Sequence, residues 1–254
     1  MIKKWLFVAA ALSGSILLTS LWVALRVAAA PLTGDEIMAR VDELIPHNGH
    51  YLTDLTMIRP GKDARTSRLQ VFIKGSDKVF VRYLAPAQEK GQGYLRVGDD
   101  EWLYLPSANK SIRVSGKQSM QGSDLSNDDI LKVRLTEDYS AKVIGEEEVD
   151  GKLNYVLELT AKSPAVTYGK LKYWVRRDDF LPSKTEYYAF SGKLLKTMTY
   201  SKVREIGGKV RPTVMEIESE LKKGYKTIMT MVDADFDADI SDSIFTRLYL
   251  EKGK

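Results

Sequence analysis

The chain has no cysteine and only two histidines among its 254 residues. Without cysteine no disulfide forms, no thiolate serves as nucleophile, and no lipid can be attached to a lipobox, so the fold is held by its core alone. His47 and His50 sit three apart beside Pro46 and Gly49, and no third nitrogen or sulfur donor exists in the sequence. Zinc takes three or four protein ligands, so the pair reads as a turn after a helix and no metal is expected. No histidine lies near a serine flanked by glycines, which removes the nucleophile-elbow and cysteine-hydrolase readings on inventory. A Gly-rich loop followed by Lys-Ser/Thr is also missing. Adjacent carboxylates such as Asp128 and Asp129 read as a helix start, where acidic groups favour the dipole. No enzyme and no cofactor are expected.

What is present begins with an address. Residues 1–29 read as an export signal: Lys3 and Lys4, an apolar run from Trp5 to Leu25, and Val27 and Ala29 in the small-residue slots before a cut after Ala29. That run is also long enough to span a bilayer, which takes about 20 apolar residues. Retained, it would anchor the protein in the inner membrane; Ser13, Gly14, Ser15, Thr19 and Ser20 weaken it as a permanent span and favour removal. The mature part, residues 30–254, is expected to be one periplasmic domain, since no Gly/Ser- or Pro-rich linker divides it. Three of the 38 basic residues (Lys3, Lys4, Arg26) lie in the signal, leaving 35 against 34 acidic. A nearly neutral domain is not a nucleic-acid binder.

The first element of the mature chain is a helix at residues 34–45. Thr33 caps it, Glu36 takes the reciprocal capping-box position, and Pro46 stops it. Ile37, Val41, Leu44 and Ile45 form one apolar stripe. From Tyr51 the texture changes to short β-type runs separated by Gly, Pro, Asp and Asn. Strands are expected at Tyr51–Arg59, Thr66–Lys74, Lys78–Leu84, Gly93–Val97, Glu101–Leu105 and Ser111–Val114. After a polar interruption they resume at Ala141–Glu148, Asn154–Ala161, Lys170–Arg177, Ser183–Phe190, Leu194–Arg204, Lys209–Leu221 and Tyr225–Asp235. A second helical piece at 127–134 has Ser126 as cap and carries Ile130, Leu131 and Val133. So many antiparallel strands curl, split or close when they exceed about ten, so the sheet must curve into part of a barrel, with the two helices plugging its concave side.

Several strands are apolar on both faces: Val79, Val81 and Tyr83 against Phe80 and Leu84, Leu103 and Leu105 against Trp102 and Tyr104. A sheet with one wet face alternates apolar with polar instead. Either an apolar ligand cavity exists, or loops and strand overlap pack both faces.

Several segments resemble the LolA-like outer-membrane lipoprotein-sorting proteins, specifically their larger branch. They are Met120-Gln121-Gly122-Ser123-Asp124-Leu125-Ser126, Tyr173-Trp174-Val175-Arg176-Arg177-Asp178 with Leu181-Pro182, and Arg211-Pro212-Thr213. The opening Gly34-Asp35-Glu36-Ile37-Met38 and the closing Phe245-Thr246-Arg247-Leu248 are similar too, so the likeness spans almost the whole mature chain. The resemblance implies an α+β fold that is mainly antiparallel β, a curved unclosed half barrel wrapped over a few short helices. It also implies an apolar cavity for the acyl chains of lipoproteins or phospholipid, and a periplasmic carrier that contacts membranes transiently. An inner-membrane transporter is the further partner considered, with donor and acceptor left open. The alternative is a sensor or adaptor domain that uses the same fold to bind a transporter or regulator.

On that reading the cavity wall is expected from Leu69, Val71, Val79, Val81, Trp102, Tyr104, Trp174, Tyr187, Met215, Met229 and Met231. The lid is expected from Ile37, Val41, Leu44 and Ile45 and from Leu125, Ile130 and Leu131, with Gly122 as hinge or tight turn. Arg176 and Arg177 are either lipid-headgroup contacts, or solvated or paired with Asp178 and Asp179. A one-residue slip in strand parity exchanges wall for exterior.

Overall fold

The computed structural model describes residues 30–132 and 134–253; the expected export segment, residues 1–29, and Val133 lie outside them. Helix α1 (Gly34–Leu44) begins as its capping box requires. The Thr33 hydroxyl accepts the Glu36 N–H, and the Glu36 carboxylate accepts the Thr33 N–H at 2.7 Å. Then follow β1 (Asn48–Ile58), β2 (Arg65–Lys74), β3 (Lys78–Ala85), β4 (Gly93–Val97), β5 (Asp100–Leu105) and β6 (Lys110–Arg113). A long connection carries α2 (Asn127–Leu131). The second run is β7 (Tyr139–Val149), β8 (Lys152–Ala161), β9 (Lys170–Arg176), β10 (Pro182–Tyr188), β11 (Leu194–Ile206), β12 (Lys209–Ser219) and β13 (Lys226–Asp235), before α3 (Arg247–Lys252).

All thirteen strands form one antiparallel sheet in the order β6-β5-β4-β3-β2-β1-β13-β12-β11-β10-β9-β8-β7. Hairpins fix that order within each run, because consecutive antiparallel strands need only a short turn. The two exceptions organise the molecule. Strand β13 returns to pair with β1 at the centre, and the connection with α2 jumps from the β6 edge to the β7 edge. The two edges do not pair with each other, so the sheet is unclosed.

One face of this sheet, the inner face, carries Leu55, Leu69, Val71, Val79, Val81, Leu157, Leu171 and Val175, all 0 % exposed. They pack in one cluster with Ile37, Met38 and Val41 of α1 and with Met120, Leu125, Ile130 and Leu131 of the connection. Fully burying each such side chain is worth about 1.5–3 kcal/mol, so this layer dominates the stability. The opposite face of β3, β4 and β5 is also dry: Phe80, Leu95 and Tyr104 are covered by Ile240, Phe245 and Leu250 of the C-terminal segment. That cover resolves the alternative left open by strands apolar on both sides, in favour of packing at this end of the sheet. Among the described residues no helix is long and apolar enough to cross a membrane.

Candidate functional site

The inner face and its lid bring together most of the residues expected there. Leu69 and Val71 on β2, Val79 and Val81 on β3, Tyr187 on β10 and Met229 on β13 share the cluster with Ile37, Val41, Leu125, Ile130 and Leu131. Met215 and Ile45 are half-buried against it. The space between sheet and helices is filled by these lid side chains.

Five expectations are corrected. Trp102 and Tyr104 lie on the opposite face, within the C-terminal cluster; the Arg247 guanidinium stacks 4.2 Å over the Trp102 ring, and the Tyr104 hydroxyl donates to Asn109 Oδ1 at 3.1 Å. Their neighbour Leu103 faces the lid, which fixes the parity of β5. Trp174 likewise points away from Tyr173 and Val175. Its Nε1–H donates to Glu147 at 2.9 Å, and Lys184 and Lys172 sit 4.4 and 4.5 Å from its ring. Long cationic side chains can bury an aromatic on an outer face without a second layer. Met231, in phase with Met229, packs in a smaller cluster with Ile206 and Phe236 and not in the main one. Leu44 is 40 % exposed: the helix ends there, and Ile45, in extended backbone, takes the inward position.

The segments expected to form the lid are fastened by polar ties laid over the apolar bed. Segment Gly122–Ser126 is held from both sides. Arg59 Nη1 pairs with Asp124 Oδ2 at 2.9 Å and its Nη2 donates to the Gly122 carbonyl at 3.0 Å. Thr227 on β13 donates to Asp124 Oδ2 at 2.8 Å and accepts the Asp124 N–H at 3.1 Å. Deeper in, Lys196 on β11 pairs with Asp129 at the start of α2, both almost fully buried. Lys196 also donates to the Asp124 carbonyl at 3.1 Å and sits between the rings of Tyr168 and Tyr187. Asp129 serves twice, since it also accepts the Ser126 N–H of the capping box and the Tyr168 hydroxyl. Burial, then the Asp129 charge, pushes the Tyr168 phenol far up, so it stays a donor. At the other end of α2, Arg96 on β4 donates to the Leu131 carbonyl at 3.0 Å.

Two buried carboxylates, Glu101 and Asp42, have no ion pair among the described residues. Glu101 on β5 is buried beside Asp128, and burial followed by the Asp128 charge pushes its carboxyl up to about 7. Asp42 of α1 is buried against Thr136, whose hydroxyl and N–H both donate to it; burial raises its pKa and these bonds oppose the rise. Helix α1 also touches β7 closely. The Ala141 N–H donates to Asp35 at 2.7 Å, and a Cβ on Gly34 would fall 2.4 Å from the Ala141 carbonyl oxygen. Gly34→Ala is accordingly expected to lift the start of α1 from the sheet at a cost of about 1–3 kcal/mol. Hydrogen exchange should accelerate in residues 35–44 and not in the central strands; unchanged α1 exchange would remove this contact from the lid.

Arg176 and Arg177 are both spoken for by carboxylates. Arg176 pairs with Asp179 at 2.7 Å and lies 3.6 Å from Asp178, while Arg177 pairs with Glu146 at 3.0 Å and stacks on Tyr155. Arg176 therefore matches the ion-pair alternative, whereas Arg177 pairs with Glu146 and not with Asp178 or Asp179. His47 lies 3.3 Å from Arg134, and burial followed by that charge lowers its pKa; His50 stacks on Phe72. A cleft of about 360 Å³ on the opposite face, by α3, includes Phe72, Phe80, Arg82, Tyr104 and Tyr249. Arg82 spends its donors there on the Tyr249, Leu250 and Gly91 carbonyls, holding α3 in place.

Sequence reasoning missed Arg59, Arg96, Glu101, Lys196 and Thr227. One signal was available: Lys196 stands in phase with Met198 and Tyr200, so a lysine occupies an inward position of an otherwise apolar strand face.

A family model described as an uncharacterized protein matches residues 75–252. No curated protein matches the chain. Among solved structures, the chain is similar to a LolA superfamily protein from Nitrosomonas europaea at 33% identity, covering 86% of this chain and 100% of that one with a TM-score of 0.78. A DUF1329 family protein from Desulfovibrio piger is similar at 28% identity, with 85% and 97% of the two chains covered and a TM-score of 0.78. A Vibrio parahaemolyticus domain, provisionally described as an outer membrane lipoprotein-sorting protein, shares the fold at 23% identity, with 86% and 98% covered and a TM-score of 0.75.

Proposed function

The chain belongs to the LolA superfamily, and from that premise we propose that it carries or binds the acyl chains of lipoproteins or lipids between the inner face of its sheet and the α1–α2 lid. The observation that carries this reading is the lid itself: an apolar underside lying on an apolar bed and fastened by a few polar ties. Such a cover can be exchanged for a ligand of the same chemistry.

The energetics favour exchange over an open cavity. Two sixteen-carbon chains gain over about 20 kcal/mol gross on burial, at ~0.8 kcal/mol per methylene, which would trap the cargo if nothing opposed it. A lid that surrenders its own apolar contacts when the ligand enters returns much of that gain, so binding stays reversible. On this reading the protein is exported, residues 1–29 are removed, residues 30–254 act as one domain in the periplasm, and the site binds without turning its ligand over.

Protein recovered gently from cell envelopes is expected to carry a lipid adduct in native mass spectrometry, with extraction yielding a species that has one or more long acyl chains. Uniformly ligand-free masses from several preparations would overturn the reading.

A further inference from the structure

Because the sheet is an antiparallel meander, alternate connections lie at opposite ends of it. Six lie at one end: residues 59–64, 86–92, 106–109, 162–169, 189–193 and 220–225. Together they contain seven Lys or Arg against three Asp or Glu. The five at the other end, residues 75–77, 98–99, 150–151, 177–181 and 207–208, contain one against five. A nearly neutral domain is thus polarised along its strands, from a basic rim to an acidic one. At the basic rim Arg59 is used internally by Asp124, but Lys62, Lys90, Lys162, Lys193, Lys222 and Lys223 are exposed, and among the described residues none is in an ion pair.

The same rim carries apolar tips. Phe190 is 57 % exposed in the β10–β11 turn and Leu221 is 53 % exposed in the β12–β13 turn, each flanked by lysines: Lys193 for the first, Lys222 and Lys223 for the second. These turns adjoin. The Glu220 N–H donates to the Leu195 carbonyl at 2.9 Å, and Pro60 of the β1–β2 turn lies 2.9 Å from where a Cβ on Gly224 would be. Arg59, in that β1–β2 turn, holds the Gly122 carbonyl, so the start of the lid opens onto this rim.

We propose that this rim is a docking surface for an anionic lipid bilayer, with Phe190 and Leu221 entering the interface and the surrounding lysines reaching lipid phosphates. Exposed aromatic and aliphatic tips among unpaired cations are the composition that binds such surfaces. A purely aqueous carrier gains nothing from them. The acidic rim is repelled by the same surface, which orients the sheet end-on and turns the lid toward the lipid. The use made of the docking rests on the acyl-carrier reading; the docking itself does not.

The test is flotation of the full chain, as recovered from cells, with vesicles of neutral phosphatidylcholine or with about 30% phosphatidylglycerol added. At low salt, partitioning onto the anionic vesicles should exceed that onto neutral ones at least about tenfold, each engaged lysine contributing roughly fivefold, and should collapse near 0.5 M salt. The neutral vesicles remove apolar insertion of the N-terminal segment from the comparison, and the charge-reversed variant below, which keeps Lys3, Lys4 and Arg26, separates their charge from that of the rim. K193E/K222E/K223E should abolish the difference, whereas F190S/L221S should weaken binding and leave its salt dependence. Equal partitioning onto both vesicles, or a charge-reversed variant that still prefers anionic lipid, overturns the proposal. So does loss of vesicle preference together with charge-dependent capture by an acidic membrane protein, which would assign the rim to that partner. Lipid adducts measured on the same preparations report separately on the acyl site.

Discussion

Lys196→Met is expected to destabilise the folded protein by about 3–5 kcal/mol, because it leaves the Asp129 carboxylate buried without its cation. Both side chains are nearly inaccessible, at 6 % and 3 %, so water cannot take over the role of the lost ammonium. What remains for the Asp129 carboxylate is the Tyr168 hydroxyl and the Ser126 N–H. Those are neutral donors and worth less than the charge-assisted bond they accompany. Lys196→Met/Asp129→Asn should recover a large part of the loss, since removing both charges also removes the desolvation penalty. Urea midpoints of the three variants separate these cases. A single variant as stable as the parent would mean that the pair is not closed in solution. The same variants bear on the acyl site, because Lys196 also holds the Asp124 carbonyl and hence the segment that enters α2. If the lid yields to an acyl chain, Lys196→Met should bind an apolar fluorescent probe more readily than Gly34→Ala, which loosens only the other helix.

Most of the architecture was legible because it is written in local signals. Turns such as Asp150-Gly151 and Gly207-Gly208 place strand ends to within about three residues, and the Thr33–Glu36 capping box and the Ser126 cap both form as spaced. Which face looks inward was harder. Alternation fails as a guide where both faces are dry, and β3 to β5 are dry on both because residues 240–250 cover the far side. That cover is a short segment with Ser241 and Thr246 as caps, too brief to show an apolar period. Alternation therefore groups Trp102 and Tyr104 with Leu69, whereas they pack with Phe245. Trp174 misled for a different reason: its outer face is shielded by Lys172 and Lys184, which a sequence reports as polar. The polar ties of the lid were not legible, since Arg59 and Asp124, or Lys196 and Asp129, lie more than sixty residues apart. Chain topology alone brings them together.

Glu101 gives the lid a dependence on pH whose sign can be stated in advance. In the folded protein burial first, and the neighbouring Asp128 charge second, raise its carboxyl from 4.5 to about 7, against the opposing pull of Arg96 and Lys132. The unfolded chain releases the same proton near 4.5, so between these values the folded state binds more protons than the unfolded one. Stability from this site is fully present below about pH 4.5 and declines as pH rises to about 7, above which Glu101 is ionised beside Asp128. Glu101→Gln keeps the shape and stays neutral at every pH. It should match the parent near pH 5 once the stability lost by other groups is shared, and exceed it at pH 8 by on the order of 3 kcal/mol. Denaturant midpoints at the two values decide the point: a difference that is the same at both would mean that Glu101 is already ionised under the lid. Because Asp128 lies in the first turn of α2, the charge that appears on Glu101 with rising pH acts directly against the helix that, on the proposed reading, moves to admit a ligand. An apolar probe should accordingly enter the parent faster at pH 8 than at pH 5, and Glu101→Gln should remove that difference.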